Sequence, residues 1–111
     1  MGVVFIKDKV VARDLGVAQK DYGKYIKIVV DVKNNLVAIG GEWHVDGEKV
    51  LLENGADKDS IWGGGIDSDT KNIETVALIN LRPNLGNNSQ EILDANARKR
   101  FIEIVKERFG V

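Results

Sequence analysis

Glu42, His44 and Asp46 stand at alternate positions in the segment Gly40-Gly41-Glu42-Trp43-His44-Val45-Asp46. In an extended strand, residues two apart leave the same face, so all three side chains would emerge together. Spaced at roughly 6–7 Å per step, they could converge on a divalent cation. Two carboxylates and one imidazole suit a hard, oxygen-preferring ion such as Mg²⁺ or Mn²⁺. His44 is the only histidine in the chain, so sites built on two histidines are out of reach. Alone, it would serve as a general base near neutral pH. Ordinary structural roles account for the same residues: Glu42 pairs with Lys27 across a hairpin, His44 packs on Tyr25, and Asp46 caps the next helix. That account outweighs the metal, because Lys27 would set a positive charge where the cation must sit. A metal-dependent hydrolase or phosphotransfer enzyme using Glu42, His44 and Asp46 is the alternative the triplet keeps open.

The densest polar stretch is Asn80-Leu81-Arg82-Pro83-Asn84-Leu85-Gly86-Asn87-Asn88-Ser89. A strand ending at Arg82 would deliver a guanidinium to a sheet edge, and the loop would feed the N-terminus of a final helix. Unpaired N–H groups and the positive end of the helix dipole favour an anion there, and Arg82 adds a bidentate fork. Asn80, Asn84, Asn87, Asn88 and Ser89 would supply further donors. The plain alternative is that these residues cap the helix and bond the loop's own backbone. Other motifs are weaker. Ser60, Ser68 and Ser89 sit in no G-x-S-x-G elbow, so a serine nucleophile has no support. Trp62-Gly63-Gly64-Gly65 is no phosphate fingerprint, and close packing or a bulge explains three adjacent glycines better. Asp67-Ser68-Asp69-Thr70-Lys71 opens like a calcium loop but lacks its glycine and distal glutamate, which leaves a solvated turn.

The elements that must position these residues follow from periodicity. Val3 to Ile6 reads as a short strand. Val11, Leu15, Ala18 and Tyr22 share one face of a helix from Lys9 to Tyr22, with Asp8 as N-cap and Gly23 just past its end. Ile26, Ile28, Val30 and Val32 alternate along one strand, and Val37, Ile39, Trp43 and Val45 along the next. Asn34-Asn35 between them suits a two-residue type I′ turn. That turn sets Val32 opposite Val37 and Ile26 opposite Trp43, with Trp43 on the buried face. A short helix from Gly47 to Glu53 is capped by Asp46 and stopped by Gly55. Strands over Ser60 to Ile66 and Thr75 to Arg82 flank the polar loop Asp67 to Asn72. A helix from about Gln90 to Phe109 closes the chain, with Leu93, Ala97, Phe101, Ile104, Val105 and Phe109 as its apolar stripe and Asn88 with Glu91 as a capping box. Asp94 with Arg98 makes a favourable pair one turn apart, Lys106 and Arg108 suit the C-terminal end of the dipole, and Gly110 ends the helix. The order β-α-β-β-(α)-β-β-α predicts an α+β fold: a largely antiparallel sheet with helices packed on one face.

Composition bounds the function. At 111 residues, with 43% hydrophobic and 30% charged residues, the chain fits one soluble domain over 1–111 and is too apolar to stay disordered. No apolar run approaches the roughly 20 residues of a membrane span, and the first residues do not make a secretory signal. With no cysteine, disulfides and thiolate chemistry are excluded, and the cytoplasm is the expected compartment. The net charge of −1 conceals segregation: residues 1–41 sum to +3, residues 42–74 to −6 and residues 75–111 to +2. Such a balance disfavours a nucleic-acid binder. The acidic middle is a solvated region or an attractor for cations.

The blocks GGEWHVD at 40–46, IWG at 61–63, INLRP at 79–83 and NNS at 87–89 resemble a small family of archaeal and bacterial proteins classed as a domain of unknown function. The resemblance runs from about Tyr25 onward. Members of that family usually carry an aliphatic residue where Trp43 stands and fewer glycines after Trp62-Gly63. It implies a stand-alone soluble domain and brings no mechanism. The favoured expectation is a binding module for a small anionic or phosphorylated ligand at the Arg82 to Ser89 corner, with no cofactor. An interaction protein that self-associates through a sheet edge is the third class.

Overall fold

A computed structural model describes residues 2–19 and 24–111. Five strands form one sheet: β1 (Val4–Ile6), β2 (Tyr25–Asp31), β3 (Leu36–Ile39), β4 (Ile61–Asp67) and β5 (Ile73–Glu74). Their spatial order is β1-β3-β2-β4-β5, with every pairing antiparallel. The helices are α1 (Ala12–Ala18), α2 (His44–Glu53) and α3 (Ala95–Phe109), and short 3-10 turns lie at Lys58–Ser60, Leu78–Asn80 and Pro83–Leu85. This is the α+β, antiparallel architecture expected from the pattern. Its layering differs in one respect. Even-numbered β2 residues Ile26, Ile28 and Val30 pack with Phe101, Ile104 and Val105 of α3 and with Leu15 and Ala18 of α1. Odd-numbered Val29 packs with Ala38, Leu51 of α2 and Ile61. Helices therefore cover both faces, because Val29 with Ala38 and Ile61 makes a second apolar surface opposite the row of Ile26, Ile28 and Val30.

The hairpin forms with its register moved by two residues. Val30 lies opposite Val37, Ile28 opposite Ile39, and Asp31 opposite Leu36 as the last pair, in place of the expected Val32–Val37. The loop is four residues long, Val32 to Asn35, with Asn35 left-handed at φ 59°. Asp31 is the cause. Fully buried, its carboxylate accepts from the N–H groups of Lys33 (2.9 Å) and Asn34 (3.0 Å), the Asn34 side-chain amide (2.8 Å) and the Asp57 N–H (2.8 Å). A side chain that bonds the backbone two and three residues on winds the chain into a longer loop than a type I′ turn. A shift of two preserves each residue's face, so the hydrophobic pattern could not report it.

Burial pushes the Asp31 carboxyl up, but the bonds from Asn34, Asp57 and Lys33 outweigh it and hold the group below the usual carboxylate range. A folded-state value below the unfolded one stabilises the protein at neutral pH, and that contribution fades as the pH falls through the folded value. In denaturant unfolding from about pH 7 to about pH 2, the stability gap between the native sequence and Asp31→Asn should narrow toward acid. A constant gap would show that Asp31 is not ionised in the fold.

The remaining differences lie at element ends. β3 stops at Ile39 because Gly40 and Gly41 take φ of 85° and 91°, a conformation only glycine adopts without strain. A Cβ on Gly40 would sit 2.1 Å from the Gly2 carbonyl oxygen. Trp43 is therefore not a strand residue opposite Ile26; it is the N-cap of α2 and is 60% exposed. α2 begins three residues before the expected Gly47, and Gly55 (φ 87°) follows its C-cap, Asn54. α1 starts at Ala12 rather than Lys9, because Asp14 accepts from the Val11 N–H. Tyr22 and Gly23, expected at its end, lie outside the described residues. The expected strand Thr75 to Arg82 is instead an isolated bridge, Val76 with Glu91, followed by the Leu78–Asn80 turn. α3 starts at Ala95, not Gln90, with Asp94 accepting from the N–H groups of Asn96 and Ala97. Leu93 is consequently exposed, and Arg98 donates to the Ile92 carbonyl at 2.9 Å.

Candidate functional site: an apolar pocket beside alpha2

The two clusters singled out in the sequence take on different characters. Glu42, His44 and Asp46 do not share a strand face. Glu42 is exposed beside Gly41, His44 is the first residue of α2, and Asp46 accepts from the Trp43 N–H at 3.2 Å. Among the described residues, no three His, Asp or Glu side chains gather as a metal-binding group. Neither Lys27–Glu42 nor Tyr25–His44 is a cross-strand pair, since β3 has ended before Glu42.

The 80–89 corner is a brace. Asn80 is fully buried. Its Oδ1 accepts from the Gly63 N–H at 2.8 Å, and its amide nitrogen donates to the carbonyls of Gly63 (2.9 Å), Gln90 (2.9 Å) and Thr75 (3.2 Å). β5 reaches only Gly65 and Ile66 of β4, so the Asn80 amide occupies the next place in the ladder. Asn87, also buried, donates to the carbonyls of Asn80 (2.7 Å), Glu91 (2.9 Å) and Ser89 (3.0 Å) and accepts from the Leu93 N–H. The Ser89 hydroxyl accepts from the Glu91 N–H, and Glu91 is bonded by the Thr75 hydroxyl. Asn84 and Asn88 are exposed. Arg82 donates to the Glu48 carboxylate at 2.8 Å, to the Lys58 carbonyl at 2.8 Å and to the Ile79 carbonyl at 3.0 Å, with its guanidinium 5.7 Å from the centre of the Trp62 ring. The ion pair is largely buried, at 12% and 15% exposure. The fork expected to receive an anion is thus engaged by an internal carboxylate, and the corner ends six residues before α3 begins rather than at its start.

What the brace holds in place is the 3-10 turn at Leu78–Asn80, and this turn forms one wall of a pocket of about 300 Å³. Lys27, Trp43, His44, Val45, Leu78 and Ile79 line it. The pocket lies on the α2 side of the sheet. Trp43 and Val45 stand at 60% and 54% exposure and Leu78 at 68%. Large apolar side chains held in water around a concavity are what a ligand site presents before it is filled. His44 Nε2 lies 2.7 Å from the Gly64 carbonyl oxygen. A carbonyl can only accept, so Nε2 carries the hydrogen and Nδ1 is the acceptor of the neutral ring. Burial holds His44 below the ordinary histidine range; the Gly64 bond opposes that, and Lys27 adds to the depression. The Lys27 ammonium stands 5.7 Å from the centre of the Tyr25 ring.

Gly63, Gly64 and Gly65 make this layering possible. A Cβ on Gly64 would meet the Glu74 carbonyl oxygen at 2.1 Å and Phe101 at 2.8 Å, and one on Gly63 would meet Ala77 at 2.8 Å. The glycines let elements on both faces close onto β4. They are packing residues, as the sequence suggested. Sequence reasoning missed Trp43, Val45, Leu78, Ile79 and Lys27 as pocket residues. The available signal was Gly40-Gly41, a pair that argues against a strand continuing to Trp43.

Fold and pocket together define an α+β protein whose five-stranded antiparallel sheet lies between helices, with an open apolar concavity beside α2. The chain belongs to the family described as Protein of unknown function (DUF5674), which matches residues 4–108. No curated protein and no solved structure matches it. No helix among the described residues is long and apolar enough to cross a membrane.

Proposed function

We propose that this protein is a single-domain binding module for a small organic anion, and that its site is the pocket between the start of α2 and the Leu78–Asn80 turn. One observation carries the reading: a concavity of about 300 Å³ with an apolar floor and rim and, as its polar groups, the Lys27 ammonium and the His44 imidazole. Such a lining suits a ligand with a flat apolar body and one acidic headgroup. Trp43, Val45, Leu78 and Ile79 would cover the body, and Lys27 would meet the charge. The sequence suggested an anion at Arg82. The pocket offers the same ligand chemistry, with Lys27 and His44 in its lining. Binding is favoured over catalysis because, among the described residues, the lining holds one imidazole and no carboxylate or hydroxyl, too few groups for paired acid–base or nucleophilic work.

Amide NMR titration with naphthoate, naphthyl phosphate, inorganic phosphate and neutral naphthamide tests this reading and separates carboxylate from phosphate headgroups. The aromatic anions should shift the amides of Lys27, Trp43 to Val45, Leu78 and Ile79, at sub-millimolar to millimolar affinity. Lys27→Met should weaken the anions by about tenfold, as for a hydrogen bond to a charged group, while naphthamide changes little. Shifts confined to the 82–89 backbone, or none at all, would refute the site.

A further inference from the structure

We propose that the pocket takes aromatic acids that carry, beside the acidic group, a neutral O–H or N–H donor, and that Nδ1 of His44 is the acceptor that recognises it. This rests on the pocket reading above and narrows its ligand class.

The tautomer follows from the partner of the other ring nitrogen. Nε2 lies 2.7 Å from the Gly64 carbonyl oxygen. A backbone carbonyl can never donate, so Nε2 carries the hydrogen and Nδ1 presents a lone pair. The strand that offers this carbonyl is itself held, because Asn80 grips the N–H and the carbonyl of the neighbouring Gly63 at 2.8 and 2.9 Å. Burial outweighs the Gly64 bond and keeps the ring below the ordinary histidine range, hence neutral at about pH 7. Among the described residues no buried side-chain nitrogen or oxygen lacks a partner, and the ring is bonded through Nε2. Nδ1 therefore touches solvent, on a ring that lines the pocket. The rest of the lining sharpens its role. Lys27 and the Trp43 indole offer only donors, and the side chains of Val45, Leu78 and Ile79 offer neither donor nor acceptor. Among the described residues, Nδ1 is thus the one side-chain acceptor in the lining. A flat ligand that covers it without a donor strips its water and gives nothing back, whereas a hydroxyl or amino hydrogen placed there restores the bond. Such a site discriminates strongly, since an analogue that lacks the donor leaves a desolvated acceptor unpaired.

Naphthoates hydroxylated at successive positions of the distal ring, each paired with its methyl ether, test the inference. Each pair places a donor or a blocked oxygen at the same point, and the hydroxyls stay protonated at about pH 7. Binding would be followed by amide shifts and by the ring nitrogens of His44, the chain's only histidine. The free protein should show Nε2 protonated and Nδ1 bare. At least one hydroxynaphthoate should bind about tenfold or more tightly than its ether, and its binding should move the Nδ1 resonance toward that of a hydrogen-bonded nitrogen. In His44→Phe, which keeps a ring and loses the lone pair, the two ligands of that pair should bind alike. Hydroxynaphthoates that shift the pocket amides yet bind no tighter than their ethers overturn the inference and leave the pocket reading intact. So does a preference that survives in His44→Phe, or a free protein with the hydrogen on Nδ1. No shift of the pocket amides by any naphthoate overturns both.

Discussion

Asn80→Ala should destabilise the protein by about 4 kcal/mol, a large part of what a domain of this size possesses. The side chain is fully buried and serves the Gly63 N–H and the Gly63, Thr75 and Gln90 carbonyls. Alanine removes every one of these partners and leaves a gap lined by polar atoms. Each buried group so orphaned costs about 1–3 kcal/mol, reduced where water enters. Asn80→Asp should be no milder, since it sets a carboxylate oxygen against three carbonyls. Urea unfolding would measure the loss, with exposed Asn84→Ala as a control expected within about 0.5 kcal/mol of the native sequence. Native-state hydrogen exchange should show the Gly63 amide losing protection first. A loss below about 1 kcal/mol at Asn80 would mean that β4 does not depend on this amide.

The second large effect is at Arg82. Arg82→Ala strands the Glu48 carboxylate, 15% exposed, removes the donors to the Lys58 and Ile79 carbonyls, and uncovers one face of Trp62. Breaking a mostly buried pair by deleting one partner costs about 3–5 kcal/mol, and the residual exposure here lowers the expectation to about 2–4 kcal/mol. A double-mutant cycle with Glu48→Gln should return a coupling above about 1 kcal/mol. Replacing both partners by apolar residues, Arg82→Met with Glu48→Leu, should recover much of the stability. If Arg82→Ala instead unfolded like the native protein and only weakened phosphate binding, Arg82 would be a ligand-binding residue and not part of the brace.

Both substitutions fall in the stretch whose polar density first suggested a binding site. The sequence shows that Asn80, Arg82 and Asn87 have demanding chemistry, but not whether that demand comes from a ligand or from the protein. Asparagine meets buried backbone and solvent ligands with the same atoms. Only the position of Gly63 and Glu48, 17 and 34 residues away, decides between them. His44 shows the converse. As one of three alternating polar residues it suggested a metal face; as the first residue of α2 it bonds the Gly64 carbonyl and lines the pocket.

What the sequence determined by itself was what local physics determines. Alternation placed β2 and β3 and the correct faces of Ile28, Val30, Val37 and Ile39, because side-chain direction along a strand has a period of two residues. The stripe Phe101, Ile104 and Val105 and the stop at Gly110 located most of α3, and Gly55 located the end of α2. The register of the hairpin, the end of β3 and the start of α3 were decided by tertiary contacts that no window of neighbours contains. Asp31 lengthens the turn partly because Asp57 donates to it. Gly40 turns where Gly2 approaches. Arg108, assigned to a helix dipole by sequence, is 5% exposed and donates instead to the Ile6 and Asn35 carbonyls. Pattern constrains which face of an element is apolar. A pocket such as the one at Trp43, Leu78 and Lys27 arises where elements distant in sequence fail to close on one another, and only the folded chain sets that distance.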